Sequence, residues 1–209
     1  MKNVLAAIAA IAAVTILDSV PQAYTLSGPK WPEAQTPYVV NAANLDLPSL
    51  AATTALRAGA DVWLQQANAF QFVYAGPSTQ TANTFDSVNL VVFRNASSGS
   101  AIATTYWWSS GSRIVDADMV FWDGAFRFFS GSTGCVGGFY IEDIAAHEFG
   151  HALGLGHSTS ANATMYPSVS SCNMSNRTLY ADDIAGVQAL YPPQLLVPQP
   201  PTGLRVVTN

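Results

Sequence analysis

The sequence predicts an α/β (or α+β) domain, and three observations lead there. The chain has 209 residues, of which 49% are hydrophobic and 10% charged, enough apolar material for one well-buried core. Its patterning reads, in order, as strand, helix, several strands, helix, loop and helix. Turn residues, glycine and proline above all, punctuate those segments. The formal net charge of −5 argues against a nucleic-acid partner or an acidic membrane surface, because no basic footprint is present. The apolar content argues against disorder.

The first element is a targeting segment. Lys2 precedes an apolar run, Val4 to Leu17, that Asp18 interrupts. The run is too short for an ordinary span and has the layout of a secretory signal, with cleavage expected after Ala23. A buried N-terminal helix is the alternative. No later stretch is apolar for long enough to cross a bilayer, so the mature chain is expected outside the cell, without a membrane span and as a monomer.

Residues 24–37, with Trp31-Pro32, read as an irregular lead-in to a short strand at Tyr38–Asn41. Pro48-Ser49 starts a helix, with Ser49 as candidate N-cap. Leu50, Leu56, Ala60, Val62, Trp63 and Leu64 give that helix an apolar face, and it is expected to reach about Ala69. Strands follow at Val88–Phe93, Ala101–Trp108 and Ile114–Trp122. The aromatic run Phe126, Phe128 and Phe129 reads as core packing in preference to a ligand platform. A glycine-rich loop then leads to a helix over Ile141–Leu153, whose first turn carries Glu142 and Asp143 where the helix dipole favours negative charge. Asp182 or Asp183 opens a last helix through Leu190, stopped by Pro192-Pro193. Residues 193–209 are a proline-rich tail. Cys135 and Cys172 read as one disulfide in an exported chain, two free thiols being the alternative.

The chemistry is concentrated in eleven residues. His147, Glu148, His151 and His157 include every histidine in the chain, in the pattern H-E-x-x-H-x-x-G-x-x-H. Positions i and i+4 of a helix point almost the same way, so His147 and His151 can share one metal ion. Gly154 and Gly156 let the chain leave the helix and turn, which can return His157 as a third ligand. Three neutral nitrogens with an open fourth position describe a catalytic zinc site. Glu148 adjoins that open side as the candidate general base.

On these residues the sequence resembles the metzincins, and within them the matrixin (matrix metalloproteinase-like) family. The zinc motif followed by Ser158, the stretch Ala163-Thr164-Met165-Tyr166-Pro167, the segment Leu179–Tyr191 and the lead-in Tyr24–Pro32 carry the likeness, over residues 24–192. The resemblance implies a twisted, mostly parallel five-stranded sheet with one antiparallel edge strand, three helices and a cleft across the front. It implies one catalytic zinc ion, a secreted endopeptidase activity on extracellular proteins, and Met165 in a Met-turn under the zinc. Ala101–Tyr106 would be the edge strand, and an extended peptide would bind by adding a strand to it; a merely protected edge is the alternative. Tyr166, Pro167 and Val169 would wall the pocket for the substrate side chain after the scissile bond, with Val169 standing where many matrixins carry an aromatic residue. Calcium would bind Asp116, Asp118 or Asp123, unless these are ordinary turn acids. A cleaved N-terminus at Tyr24 would pair with Asp182 or Asp183, unless both only cap the helix.

Overall fold

The computed structural model describes residues 22–64 and 70–192. Residues 1–21 of the expected signal segment, the tail from residue 193 and the expected end of the first helix near Ala69 lie outside the described residues. Five strands form one sheet: β1 (Gln35–Asn41), β2 (Gln71–Pro77), β3 (Leu90–Phe93), β4 (Ala103–Ser110) and β5 (Arg113–Phe121), in the order β2-β1-β3-β5-β4. All pairings are parallel except β4 with β5, which places the single antiparallel strand at one edge. The helices are α1 (Ser49–Leu64), α2 (Ile141–Leu153) and α3 (Ala181–Leu190). This is the sheet and the helix count that the resemblance implied. Among the described residues no helix is long and apolar enough to cross a membrane.

The central strand β3 is buried along its whole length, as its continuous apolar run Leu90-Val91-Val92-Phe93 requires. The strand β2 is a fifth element that the apolar runs do not announce. It occupies the far edge, only half-covered, and its signal is the spacing of Phe70, Phe72 and Tyr74 at every second residue. Phe72 and Tyr74 pack on Tyr38 of β1, at 6.5 and 5.8 Å between ring centroids. Two short strands, β6 (Phe128–Phe129) and β7 (Phe139–Tyr140), pair beside the sheet. The aromatic run divides: Phe128 is core, edge-on to Phe93 and Phe121, whereas Phe126 lines the cleft.

Two details of α1 differ from expectation. Pro48, not Ser49, is the N-cap, because its carbonyl accepts the first helical bond from the Ala52 N–H. The buried face is made of Ala52, Ala55, Leu56, Gly59, Ala60 and Trp63, while Leu50 stands 80% exposed and Leu64 is exposed too. Small residues win that face because α1 lies close against α2. A Cβ on Gly59 would sit 2.5 Å from the Cβ of Ala145 and 2.8 Å from the backbone nitrogen of Ala146. Trp63 then reaches under α2 and donates its indole N–H to the Ala146 carbonyl at 2.8 Å.

Candidate metal centre and cleft

Helix α2 spans the residues expected, and it ends where the glycine demands. Gly154 has φ +104°, a left-handed conformation that costs glycine little, and its N–H closes on the His151 carbonyl at 2.9 Å. The lead-in then pins the departing chain. Ser27 N–H donates to the Gly154 carbonyl, Gly156 N–H to the Thr25 carbonyl, and the Thr25 hydroxyl to the His157 carbonyl, all between 2.8 and 2.9 Å. In this way the turn brings His157 back beside the helix.

The three imidazoles converge. His151 Nε2 lies 3.1 Å from His147 Nε2 and 3.2 Å from His157 Nε2. Nδ1 of His147 faces the Thr164 carbonyl at 2.7 Å and Nδ1 of His151 faces the Leu155 carbonyl at 2.9 Å. A carbonyl only accepts, so Nδ1 carries the proton in both rings and each Nε2 turns a lone pair inward. Burial also holds both rings neutral, with their pKa values lowered to about 4. Lone pairs crowded at this distance repel unless a cation sits between them. Tetrahedral zinc with Zn–N near 2.0–2.1 Å sets its nitrogens about 3.3 Å apart, so the donor set fits that ion. Among the described residues this trio is the one His/Cys/Asp/Glu cluster close enough to hold a metal.

Met165 is buried and its side chain packs against Gly150 of α2, the residue before His151. A Cβ on Gly150 would collide with Met165 Sδ and lie 2.8 Å from Trp63 Cζ2, so glycine at the motif's variable position before His151 lets both side chains pack against the helix. The Met165 turn is held from below by Asp183. One of its oxygens accepts the Met165 N–H at 3.0 Å, and the other accepts those of Thr164 and Tyr180 at 2.8 and 3.0 Å. Asp183 thus caps α3 with its carboxylate, from the third helical position, and carries the turn with the same group. Its neighbour Asp182 turns the other way: it accepts the N–H groups of Ala23 and Tyr24 at 3.0 and 2.9 Å and the Ser158 hydroxyl at 2.6 Å. Asp183 takes the capping role expected of one of these acids, and Asp182 meets Tyr24 through its backbone amide, with Ala23 still joined to it.

The trio opens into a cleft of about 700 Å³ between α2 and the edge strand β4. Glu148, on α2, is almost wholly buried and also lines it. Tyr166, Pro167 and Val169 line the same cleft, and the buried Met165 does not. Asn176 and Ile144 complete that wall. Disulfide bonding joins Cys135 to Cys172, so the loop before α2 is tied to the wall segment. Arg177 ties the same segment to α2: its Nε donates to Asp143 at 2.6 Å, and the Asn176 N–H donates to the other oxygen of Asp143. Arg177 also lies over the Tyr140 ring.

Among the described residues the three aspartates considered for calcium are not part of a cluster of three or more metal-ligating groups. Asp116 accepts N–H groups of Asp86 and Ser87, Asp118 those of Thr84 and Leu90, and Asp123 that of Leu45. They are buried and fasten loops to β5, and burial raises all three pKa values, that of Asp118 to about 6.

Sequence reasoning passed over Asp143, Arg177 and Thr105. The Thr105 hydroxyl, on β4, donates to Glu148 Oε2 at 2.6 Å. A lone threonine in a strand carries no local signal of such a role. Asp143 was legible only in part, since it stands one helical turn before His147 and so on the same face.

The sheet, the helix that carries the paired imidazoles and the segment around Met165 that packs against it define a domain with the α/β metzincin fold. Within that class the Matrixin family model matches residues 30–192, and the chain belongs to the matrixin family. Over 65 residues it is 49% identical to human matrix metalloproteinase-20, covering 31% of this chain and 14% of that protein. It is 54% identical to human neutrophil collagenase over 48 residues, 23% of this chain and 10% of the relative. With human matrilysin it shares 51% identity over 47 residues, 22% of this chain and 18% of the relative. The matched segments therefore span less than a fifth of the relatives' own length.

Proposed function

We propose that this chain is a secreted zinc-dependent endopeptidase that hydrolyses peptide bonds of extracellular proteins, with residues 24–192 as its catalytic domain, residues 1–23 as a signal and residues 193–209 as a tail. The observation that carries the reading is the convergence of three imidazole Nε2 atoms near a buried glutamate, in a cleft open along a sheet edge. Relatives named as collagenases and matrilysin favour proteins of the extracellular matrix as the substrate class.

His147, His151 and His157 would hold the zinc. When bound, zinc acidifies water toward neutrality and polarises a carbonyl. Glu148 does the proton work. Its carboxylate takes a proton from the attacking water, and passes it to the amide nitrogen as the C–N bond breaks. The backbone of β4 orients the substrate, because among the described residues its outer edge has no strand partner and can pair with an extended peptide. Tyr166, Pro167 and Val169 wall the pocket for the side chain that follows the scissile bond. Met165 supports the trio without touching the substrate. No serine or cysteine nucleophile is needed, and all three histidines are committed to one centre.

The first test is hydrolysis of casein or gelatin by the purified protein. Activity should vanish with a chelator and return with zinc. Glu148→Ala should lower kcat by about 100-fold or more while zinc remains stoichiometric, as expected for loss of a general base. Stoichiometric zinc with no hydrolysis across a broad peptide library would instead make the chain a silent binding relative.

A further inference from the structure

The cleft contains one polar contact that the reaction outlined above does not use. On β4, Ala103, Thr105 and Trp107 alternate onto the cleft side, and all three line it. Their neighbour Thr104 also borders the cleft, but its hydroxyl is taken up elsewhere, accepting the Trp122 indole N–H at 2.9 Å. Thr105 therefore faces α2 across the cleft. Its hydroxyl lies 2.6 Å from Glu148 Oε2 and 3.1 Å from the Glu148 carbonyl oxygen, and its single proton goes to the nearer, charged acceptor. Glu148 Oε1 has no protein partner among the described residues. A β-branched side chain on a sheet strand has a stiff χ1, so the hydroxyl is presented at a fixed place. Thr105 comes from an element 43 residues away in sequence, so its contact also couples the edge strand to the helix that carries the imidazoles.

We propose that Thr105 is a positioning residue for the proton-transfer step: its hydroxyl clamps one oxygen of the Glu148 carboxylate and leaves the other to take the proton from water. The proposal rests on the reading of Glu148 as general base. It assigns the two carboxylate oxygens different work, with Oε2 anchored and Oε1 reactive. It also makes β4 serve twice, its backbone edge binding substrate and its inward threonine setting the angle of the base. General acid–base groups must lie within hydrogen-bond reach of the proton they move, and a carboxylate that rotates away loses part of that advantage.

The test compares the full protein with Thr105→Val, which keeps the shape, and Thr105→Ser, which keeps the hydroxyl. The expected result is a kcat lowered by about tenfold in Thr105→Val, the partial loss of a general base that can still reach water by rotation. KM and zinc stoichiometry should stay unchanged, because substrate pairs with strand backbone and zinc with histidine. Thr105→Ser should recover most of kcat. Wild-type kcat in Thr105→Val overturns the proposal, and so does a loss that appears in KM or in zinc content, or one that serine fails to rescue. A second measurement reads the contact without catalysis. The chain has three glutamates, Glu33, Glu142 and Glu148, so a protein labelled with ¹³C at the glutamate carboxyl gives three signals. At one fixed pH the Glu148 signal should move in Thr105→Val and return in Thr105→Ser, with the other two unmoved. A Glu148 signal indifferent to Thr105→Val overturns the clamp. If the wild type binds zinc but cleaves nothing, the proposed function falls on the activity arm, while the carboxyl signal still decides the contact.

Discussion

At the residue scale the site depends as much on an absent side chain as on the histidines. Gly150 sits in the interior of α2, where glycine is ordinarily a poor choice. It is tolerated because Met165 Sδ and the Trp63 ring occupy the space that a Cβ would need. Gly150→Ala gains helix propensity and loses packing, and the second effect dominates. We expect a net destabilisation of about 2 kcal/mol, the usual cost of overpacking, in urea unfolding of the zinc-free protein. A more stable variant would mean that the methionine moves aside without cost. Asp183 makes the same point with a charge. Burial raises its pKa, yet three backbone N–H groups surround it, and two of these belong to the buried Thr164 and Met165. The carboxylate replaces the water that those N–H groups lost on folding.

At the element scale the decisive packing is α1 on α2. A helix that presents alanine and glycine can approach its neighbour more closely than one that presents leucine, and α2 must be held rigidly because it carries two of the imidazoles. Gly59→Ala should lower the midpoint of thermal unfolding by several degrees, the shift that about 1–2 kcal/mol produces in a domain of this size. The same substitution at Gly111, in the exposed turn between β4 and β5, meets no atoms nearby and serves as the comparison for positive-φ strain alone. An unchanged midpoint for Gly59→Ala would show that α1 can shift. Of the apolar face read from the sequence, Leu56, Ala60 and Trp63 are buried and Leu50 and Leu64 are not, because a helical pattern identifies periodicity, not how far the neighbour will cover the stripe.

At the scale of the whole molecule, burial of aspartates couples stability to pH. Asp118 carries a pKa raised to about 6, and Asp116, Asp123, Asp143 and Asp183 are shifted in the same direction, each chiefly by desolvation. A carboxyl whose folded pKa is raised binds its proton more tightly in the folded chain. Its stabilising contribution is therefore complete below the unfolded value near 4 and is lost as pH rises through the folded value. For Asp118 this window runs from about pH 4 to about pH 6. In the zinc-free protein His147 and His151, held neutral down to about pH 4, make stability rise across the same window, so the Asp118 contribution is read as a difference: in urea unfolding Asp118→Ala should show a steeper rise with pH between about 4 and 6 than the wild type. Equal slopes in the two proteins would contradict the assignment. The Cys135–Cys172 bond acts at the same scale: it closes a separation of 37 residues, a constraint on the unfolded chain worth about 3–4 kcal/mol in the chain-entropy model.

What the sequence by itself determined is the local chemistry. Three imidazoles and a glutamate lie within eleven residues, one helical turn aligns two of the rings, and a glycine whose φ is positive turns the third back. Those relations depend on bond geometry and helical pitch, which act over a few residues and so leave a pattern in the chain. The buried long runs of β3 and β5 were legible for the same reason. Only the tertiary structure decided that Thr105 meets Glu148, that Arg177 and Asn176 close on Asp143, that Asp116 and Asp118 hold loops, and that Gln71–Pro77 joins the sheet as its far edge. Each of these pairs residues about 30 to 40 positions apart, where no periodicity connects them and only the closure of the fold brings them together.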